Sequence, residues 1–200
     1  ISASVSEVEA SIPVLMKKEI EILPDFSNLP MGIDIKKEYK DFAKVSPSKL
    51  EIAGPEEIVS VLKNVKLDAI DFNKVNFQNF KFILPINLPQ GCRSLNNVYT
   101  AEVNLNLSQF RERIFSINQF SFKNLPEGKK ANVYNKSINI LVLGPISEIN
   151  SIKQSDIVAE IDFEGKNDFL SSMEMPVKLY IKNSDKSWIY GQYYVNVNVE

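Results

Sequence analysis

Short runs of alternating apolar and polar residues dominate the pattern of this 200-residue chain. Residues 195–199 alternate valine with asparagine, and residues 103–107 alternate valine or leucine with asparagine. A period of two is typical of a strand that buries one face. Proline and glycine separate these runs at intervals that suit an antiparallel or mixed sheet. The pattern therefore predicts a mainly β protein.

The predicted strands are rich in Ile, Val, Phe and Tyr, which strands prefer. In chain order they span residues 17–23, 49–53, 67–72, 79–86, 99–107, 114–122, 137–143, 157–163, 173–181 and 187–199. Because strands do not alternate with long helices, a doubly wound α/β fold is disfavoured.

One short helix is predicted after each of two Gly-Pro pairs. Pro55 fits the first helical position, where its missing N–H is harmless, and Glu56 and Glu57 are favoured by the helix dipole. The apolar residues that would share one helix face are Ile58, Val61, Leu62 and Val65. The second helix, over residues 145–152, is the shorter copy.

The chain repeats itself after about 90 to 96 residues, a spacing that suits tandem small domains. The blocks recur in one order: 28–32 with 124–128, 54–55 with 144–145, 57–58 with 148–149, 70–72 with 161–163, 84–86 with 175–177, and 103–107 with 195–199. We predict two tandem small β-rich domains, 16–108 and 109–200, each with one short helix. Residues 1–15 align with the closing strand of a preceding repeat, so an upstream repeat is expected in a longer parent protein.

The composition removes several classes of chemistry. The chain has no histidine, one cysteine and a net charge of −2. Without histidine there is no Ser-His-Asp or Cys-His catalysis and no imidazole metal ligand. A single thiol excludes an internal disulfide and a thiolate cluster, and the charge disfavours nucleic acid. No apolar run approaches the ~20 residues that span a bilayer. We therefore predict no cofactor, no metal and no catalytic residue.

Three candidate sites have a structural interpretation that we favour. Asp71 and Asp162 recur at equivalent positions, as a strand-ending turn residue would, although paired carboxylates also serve glycosidases. The Gly-Pro pairs start helices and lack the lysine of a phosphate-binding loop. Cys92 follows Gly91 in a predicted turn, without a second thiol or a base to activate it.

The segment 188–194 is the most aromatic part of the chain and the one candidate interaction surface. Aromatic side chains can form a contact surface for protein or carbohydrate, and the residues concerned are Trp188, Tyr190, Tyr193 and Tyr194. The structural interpretation, which we favour, is that alternate members, Trp188, Tyr190 and Tyr194 among them, pack inward or line a domain junction. Four phenylalanines, at positions 72, 77, 80 and 82, are explained by packing in the core or on a sheet face.

The repeated blocks resemble those of YbbR-like domains over nearly the whole chain. Each repeat shows four motifs of the family. The N-L-P-x-G openings are at 28–32 and 124–128, and the strands that lead into Gly-Pro are at 50–55 and 140–145. The strands that end in aspartate are at 68–72 and 158–163, and each repeat closes with an alternating strand. The chain departs from the family after each aspartate, where Phe-Asn-Lys and Phe-Glu-Gly replace a Leu-Ser-Gly-like turn.

The resemblance implies a small β-rich fold and a bacterial protein that is anchored by an upstream membrane helix and faces outward. It further implies a non-enzymatic regulatory or scaffold module whose protein partner is a membrane diadenylate cyclase, the enzyme that makes cyclic di-AMP. The family brings no catalytic residues to carry over. The alternative function is an Ig-like cell-surface module that binds protein or glycan, and a carboxylate enzyme ranks third.

Overall fold

The computed structural model describes residues 14–34, 39–166 and 172–200, and β-strands predominate within them. The predicted mainly β fold class is confirmed. The partial repeat predicted over residues 1–15 lies almost wholly outside the described residues.

The strands are short and follow one another closely along the chain. They are β1 (Met16–Asp25), β2 (Ala43–Ser46), β3 (Lys49–Gly54), β4 (Asn64–Ala69), β5 (Lys81–Pro85), β6 (Arg93–Ser94), β7 (Thr100–Leu105), β8 (Phe110–Ile117), β9 (Ser121–Lys123), β10 (Ala131–Val133), β11 (Ile138–Pro145), β12 (Ile157–Asp162), β13 (Met173–Pro176), β14 (Lys178–Ile181), β15 (Trp188–Tyr190) and β16 (Tyr194–Val199). The α-helices are single turns: α1 (Tyr39–Phe42), α2 (Glu56–Val59) and α3 (Ile146–Ile149).

The chain folds into two compact units that do not follow one another along the sequence. The first contains the described residues up to Leu23, with Val45–Asp68 and Ile83–Glu102. The second contains the described residues of Pro24–Lys44, Ala69–Phe82 and Val103–Glu200. The repeat boundaries proposed above, 16–108 and 109–200, stay a prediction.

The first unit is built on a sheet with the order β4–β1–β3–β6. Strands β1 and β3 are antiparallel, with Ile20 opposite Leu50. Strand β1 buries alternate residues, as a period of two requires. Its core side chains include Ile20, Leu50, Ile52, Val59 and Leu67.

The second unit contains three-stranded sheets with the orders β15–β11–β8, β14–β12–β9 and β10–β16–β13. Strand β9 runs parallel to β12, whereas the other pairings within these sheets are antiparallel. A further sheet of the chain has the order β2–β7–β5. The alternating strand 195–199 buries its valines in a core shared with Phe115, Ile140, Ile161 and Phe163.

The helices after the Gly-Pro pairs are shorter than the sequence predicts. Pro55 and Pro145 lie at the N-caps, one position before the predicted one. Helix α2 ends at the buried Val59, and Val61, predicted for the buried face, is 74% exposed. At this end the Lys18 ammonium donates to the carbonyls of Val59 and Ser60, two acceptors that a longer helix would pair with its own N–H groups.

Several predicted strands are divided or displaced by turns. Residues 173–181 form β13 and β14, which belong to different sheets, so the predicted single strand is divided after Pro176. Residues 187–199 form β15 and β16, separated at Gly191 with φ of +91°. Strand β4 ends at Ala69, since Asp71 starts a 3-10 turn over Phe72–Lys74.

Candidate functional site

The predicted interaction segment begins with a residue of the core. Trp188 is 1% exposed, and its ring centroid lies 5.5 Å from that of Phe72 in an edge-to-face contact. The rings of Phe42 and Phe110 lie 6.3 and 5.7 Å from it. Phe26 packs beside Phe42 and Phe72. We call these five rings the aromatic cluster. All of them belong to the second compact unit.

Tyr190 and Tyr193 are tied to the sheet of β8, β11 and β15. The Tyr190 hydroxyl donates to the Glu112 carboxylate on β8. The Tyr193 hydroxyl accepts the Leu141 N–H at 2.8 Å and donates to the Tyr190 carbonyl at 3.0 Å. Burial raises the pKa of both phenols, and the bond to Glu112 raises that of Tyr190 further. Both rings are therefore fixed and neutral at physiological pH.

Tyr194 is the most exposed ring of the segment, at 47%. It borders a shallow cavity of about 300 Å³, together with Tyr193, Gln192 and Pro176. The structure thus places Trp188 inside, fixes Tyr190 and Tyr193 half-buried, and leaves Tyr194 facing solvent. An interaction surface at Tyr190, Tyr193 and Tyr194 stays a prediction.

The recurring aspartates hold equivalent turns. The Asp71 Oδ1 accepts the N–H of Asn73 at 3.1 Å, and the Asp162 Oδ1 accepts that of Glu164 at 3.0 Å. Asn124 also donates to Asp162, at 2.7 Å. The backbone bond from Glu164 and the amide of Asn124 lower the pKa of Asp162. Each carboxylate is engaged by the backbone that follows its strand, as the structural interpretation expected.

The two Gly-Pro pairs share a packing device. A Cβ built on Gly54 would lie 2.6 Å from the Cys92 Sγ, and one built on Gly144 would lie 2.1 Å from the Ser187 Oγ. Cys92 and Ser187 are separated by about the repeat spacing, so the same kind of small side chain covers the glycine in both copies. Cys92 has a packing role here and lies half-buried.

A cation at the end of the single-turn helix also recurs, and sequence reasoning missed it. Lys18 Nζ donates to the carbonyls of Val59 and Ser60 at 3.2 and 2.9 Å. Arg113 Nη1 donates to those of Ile149 and Ile152 at 3.2 and 3.0 Å. Such cations satisfy carbonyls at a helix end and complement its dipole. The signal was the repeat spacing between Lys18 and Arg113 on matching strands.

A larger groove of about 800 Å³ opens on the second unit. We call it the phenylalanine groove. Its lining includes Asp41, Lys44, Phe77, Phe80, Asn104 and Arg111. Phe77 is 40% exposed, whereas Phe72 is buried. The prediction of core or sheet-face packing therefore holds for Phe72 and is wrong for Phe77, whose neighbours Asn76 and Gln78 are polar and mark a surface loop.

The described residues also bear on two other classes of site. No group of three His, Cys, Asp or Glu side chains among them is placed to hold a metal ion. In the same parts of the chain, no helix has the length and apolar character needed to cross a bilayer.

Comparison with known proteins gives one class of solved structure, the YbbR-like domain. The chain is 21% identical to the YbbR-like domain of lmo2119 from Listeria monocytogenes, with 45% of this chain and 93% of that one covered and a TM-score of 0.35. It is 10% identical to a YbbR-like protein from Streptococcus pneumoniae, with 96% and 99% covered and a TM-score of 0.33.

The YbbR-like class is the same class that the repeated sequence blocks resemble. No family model matches the chain, and no curated protein matches it.

Proposed function

We propose that this chain is a non-enzymatic, extracytoplasmic regulatory or scaffold module of a membrane-anchored YbbR-like protein. Its partner is a membrane diadenylate cyclase, whose synthesis of cyclic di-AMP it regulates. The membrane anchor lies in a part of the parent protein outside this chain.

One observation carries the proposal: the residues that recur between the two repeats stabilise turns, helix ends and close packing between strands. Asp71 and Asp162 hold turns through backbone N–H groups. Gly54 and Gly144 admit close side chains, and Lys18 and Arg113 hold helix ends. The repeat thus preserves a scaffold, while the exposed Tyr194 has a different residue, Glu102, at the matching position of the first copy. A non-enzymatic binding module is expected to combine a preserved scaffold with surface residues that differ between its copies.

The test is co-expression of the full-length parent with its own diadenylate cyclase. We expect cyclic di-AMP output to change and the cyclase to co-purify with the parent. A matched control replaces residues 16–200 with an unrelated β-rich domain of similar size and keeps the rest of the parent. If output and co-purification are the same for the parent, this control and a strain without the parent, the cyclase proposal fails.

The alternative, a surface module that binds protein or glycan, draws on the exposed Tyr194 and the small cavity beside it. Trp188 is unsuitable for testing it, because truncation of a core ring would destabilise the fold. Glycan-array binding that is abolished by Tyr194→Ala and kept by Tyr134→Ala, another exposed tyrosine, would favour this alternative.

A further inference from the structure

We propose that the phenylalanine groove is a docking site for an acidic peptide segment that inserts one apolar side chain. This inference deepens the proposed function and rests on it in one respect, namely that the segment belongs to the protein partner. The groove lies wholly within the second compact unit.

The apolar part of the groove is formed by two phenylalanine rings. Phe77 lies on a loop between polar residues and is 40% exposed. Phe80, three residues later, is half-buried. Leu105 and Leu107 form a buried floor on strand β7 and the residues after it. A concave surface lined by aromatic and aliphatic side chains is suited to hold one apolar anchor residue of a partner.

The charges around the rings are mainly positive. Lys44 and Arg111 line the groove, and the Lys81 Nζ lies 5.9 Å from the centroid of Phe80. In the described parts of the chain no carboxylate forms an ion pair with Lys44 or Arg111. Since the whole chain carries a net charge of −2, this local excess of cations complements an acidic ligand.

The polar lining favours a peptide over a phosphate-bearing ligand. Asp41 and Asn104, whose side chains carry acceptor oxygens, line the same groove as the cations. A peptide backbone has N–H groups that these acceptors can bind, whereas a phosphodiester or a lipid phosphate group has no hydrogen-bond donor to offer them. A volume of about 800 Å³ holds a few residues of an extended segment.

A random peptide library tests the groove directly. The immobilised 200-residue chain is used to select binders from displayed 12-residue peptides, and the enriched peptides are synthesised and titrated by fluorescence anisotropy. We expect enrichment of Asp and Glu around one aromatic or Leu residue. Phe77→Ala and the double variant Lys44→Glu/Arg111→Glu should each raise the Kd about tenfold or more.

Matched controls separate binding from folding. Phe122→Ala removes a ring of similar exposure, 37%, outside the groove, and Lys129→Glu reverses an exposed charge elsewhere. Both should leave the Kd unchanged. Phe122 packs against Phe163, so its removal lowers the melting temperature, and the thermal melts need show only that every variant is folded at the temperature of the titration. No selected peptide, selected peptides without acidic residues, or equal affinity for Phe77→Ala would each overturn the proposal. Binding of anionic vesicles or single-stranded DNA that depends on Lys44 and Arg111, in place of peptides, would also overturn it.

The outcome is distinguishable from that of the cyclase experiment. If the cyclase co-purifies with a parent carrying Phe77→Ala as well as with the unchanged parent, the groove is not the docking site and the proposed function stands. If acidic peptides bind through Phe77 but cyclic di-AMP output never responds to the parent, the docking site stands and the partner is another protein.

Discussion

Trp188 shows how a single residue can look like a surface feature in sequence and serve the core. Its ring contacts Phe42, Phe72 and Phe110. Its indole N–H has no hydrogen-bond partner among the described residues. An unpaired buried donor costs free energy, so the contribution of Trp188 comes from the size and shape of its ring. The equivalent position on β6 is occupied by Arg93, so this ring belongs to the second copy alone.

Replacing Trp188 should separate ring size from the N–H group. We expect Trp188→Ala to lower the free energy of unfolding by about 3–5 kcal/mol, because it leaves a large cavity in the core. Trp188→Phe should cost clearly less, since it keeps an aromatic ring and removes the unpaired donor. Urea denaturation followed by circular dichroism measures both. Equal losses for the two variants would contradict this account, because an aromatic ring at this position would then add nothing to stability.

Asp162 should make stability depend on pH in a defined direction. Its pKa is lowered from 3.8 in the folded chain by the Glu164 N–H and the Asn124 amide. The ionised carboxylate therefore stabilises the fold above its ordinary pKa, and this contribution is lost as pH falls through the lower folded pKa. Thermal melts between about pH 2 and pH 6 should show a smaller acid dependence for Asp162→Asn than for the unchanged chain. Glu127→Gln, an exposed control, should leave the acid dependence as it was.

At the scale of elements, the Gly-Pro pairs join a strand to a single-turn helix beneath a neighbouring strand. Gly144 has no room for a side chain, because a Cβ there would lie 2.7 Å from the Ser187 Cβ. Proline has no N–H group, so it leaves no unpaired donor at the start of the helix. The same arrangement with Gly54 and Cys92 explains why both residues of the pair recur.

The packing at Gly144 predicts a non-additive pair of substitutions. Gly144→Ala should destabilise the fold by about 1–3 kcal/mol through overpacking against Ser187. Ser187→Gly should remove the clashing atoms, so the double variant should recover part of that loss. A double-mutant cycle in urea measures the coupling. Gly128→Ala is the contrasting control, because φ there is +78° and nothing lies within 4 Å, so its cost is backbone strain that Ser187→Gly cannot relieve. Strict additivity at Gly144 and Ser187 would contradict this packing.

The elements that sequence predicted well are those whose pattern is local. The alternation over 195–199 became β16, with its valines buried, because one face of the strand meets a core. The predicted helix face at Val61 was wrong because the helix ends at Val59, where Lys18, a residue distant in sequence, binds the carbonyls of Val59 and Ser60. The division of residues 173–181 depended on which sheet each half joins, which is a tertiary choice.

The candidate surfaces were harder to predict for the same reason. Aromatic residues look alike in sequence whether they are buried or exposed. Trp188, named in the candidate surface, is buried, and Phe77, expected in the core or on a sheet face, is exposed. The groove is assembled from three separate stretches, around Lys44, Phe77 and Arg111, and no local motif joins them. The structural use of Asp71 and Asp162, in contrast, followed from one residue recurring at the end of matching strands.

At the scale of the whole molecule, the sequence repeat and the compact units divide the chain differently. The second unit takes Phe42 and Phe72 from the first repeat and Phe110 and Trp188 from the second. These residues meet in one aromatic cluster. The cluster therefore gives the repeats a common core within that unit. We infer that a chain cut at the repeat boundary loses packing that neither fragment can replace.

Fragments cut at residue 108 test this inference, and the single tryptophan of the chain reports the result. In the intact chain Trp188 should emit at short wavelength, because its ring is excluded from water. The fragment 109–200 keeps Trp188 and Phe110 but lacks Phe42 and Phe72. Its emission should therefore shift to the red and its thermal melt should broaden. Adding the fragment 1–108 should restore the blue emission, and the intact chain in denaturant marks the fully exposed limit. If 109–200 alone matches the emission and the cooperative melt of the intact chain, the repeat is itself a self-sufficient domain and the cluster contributes little to its fold.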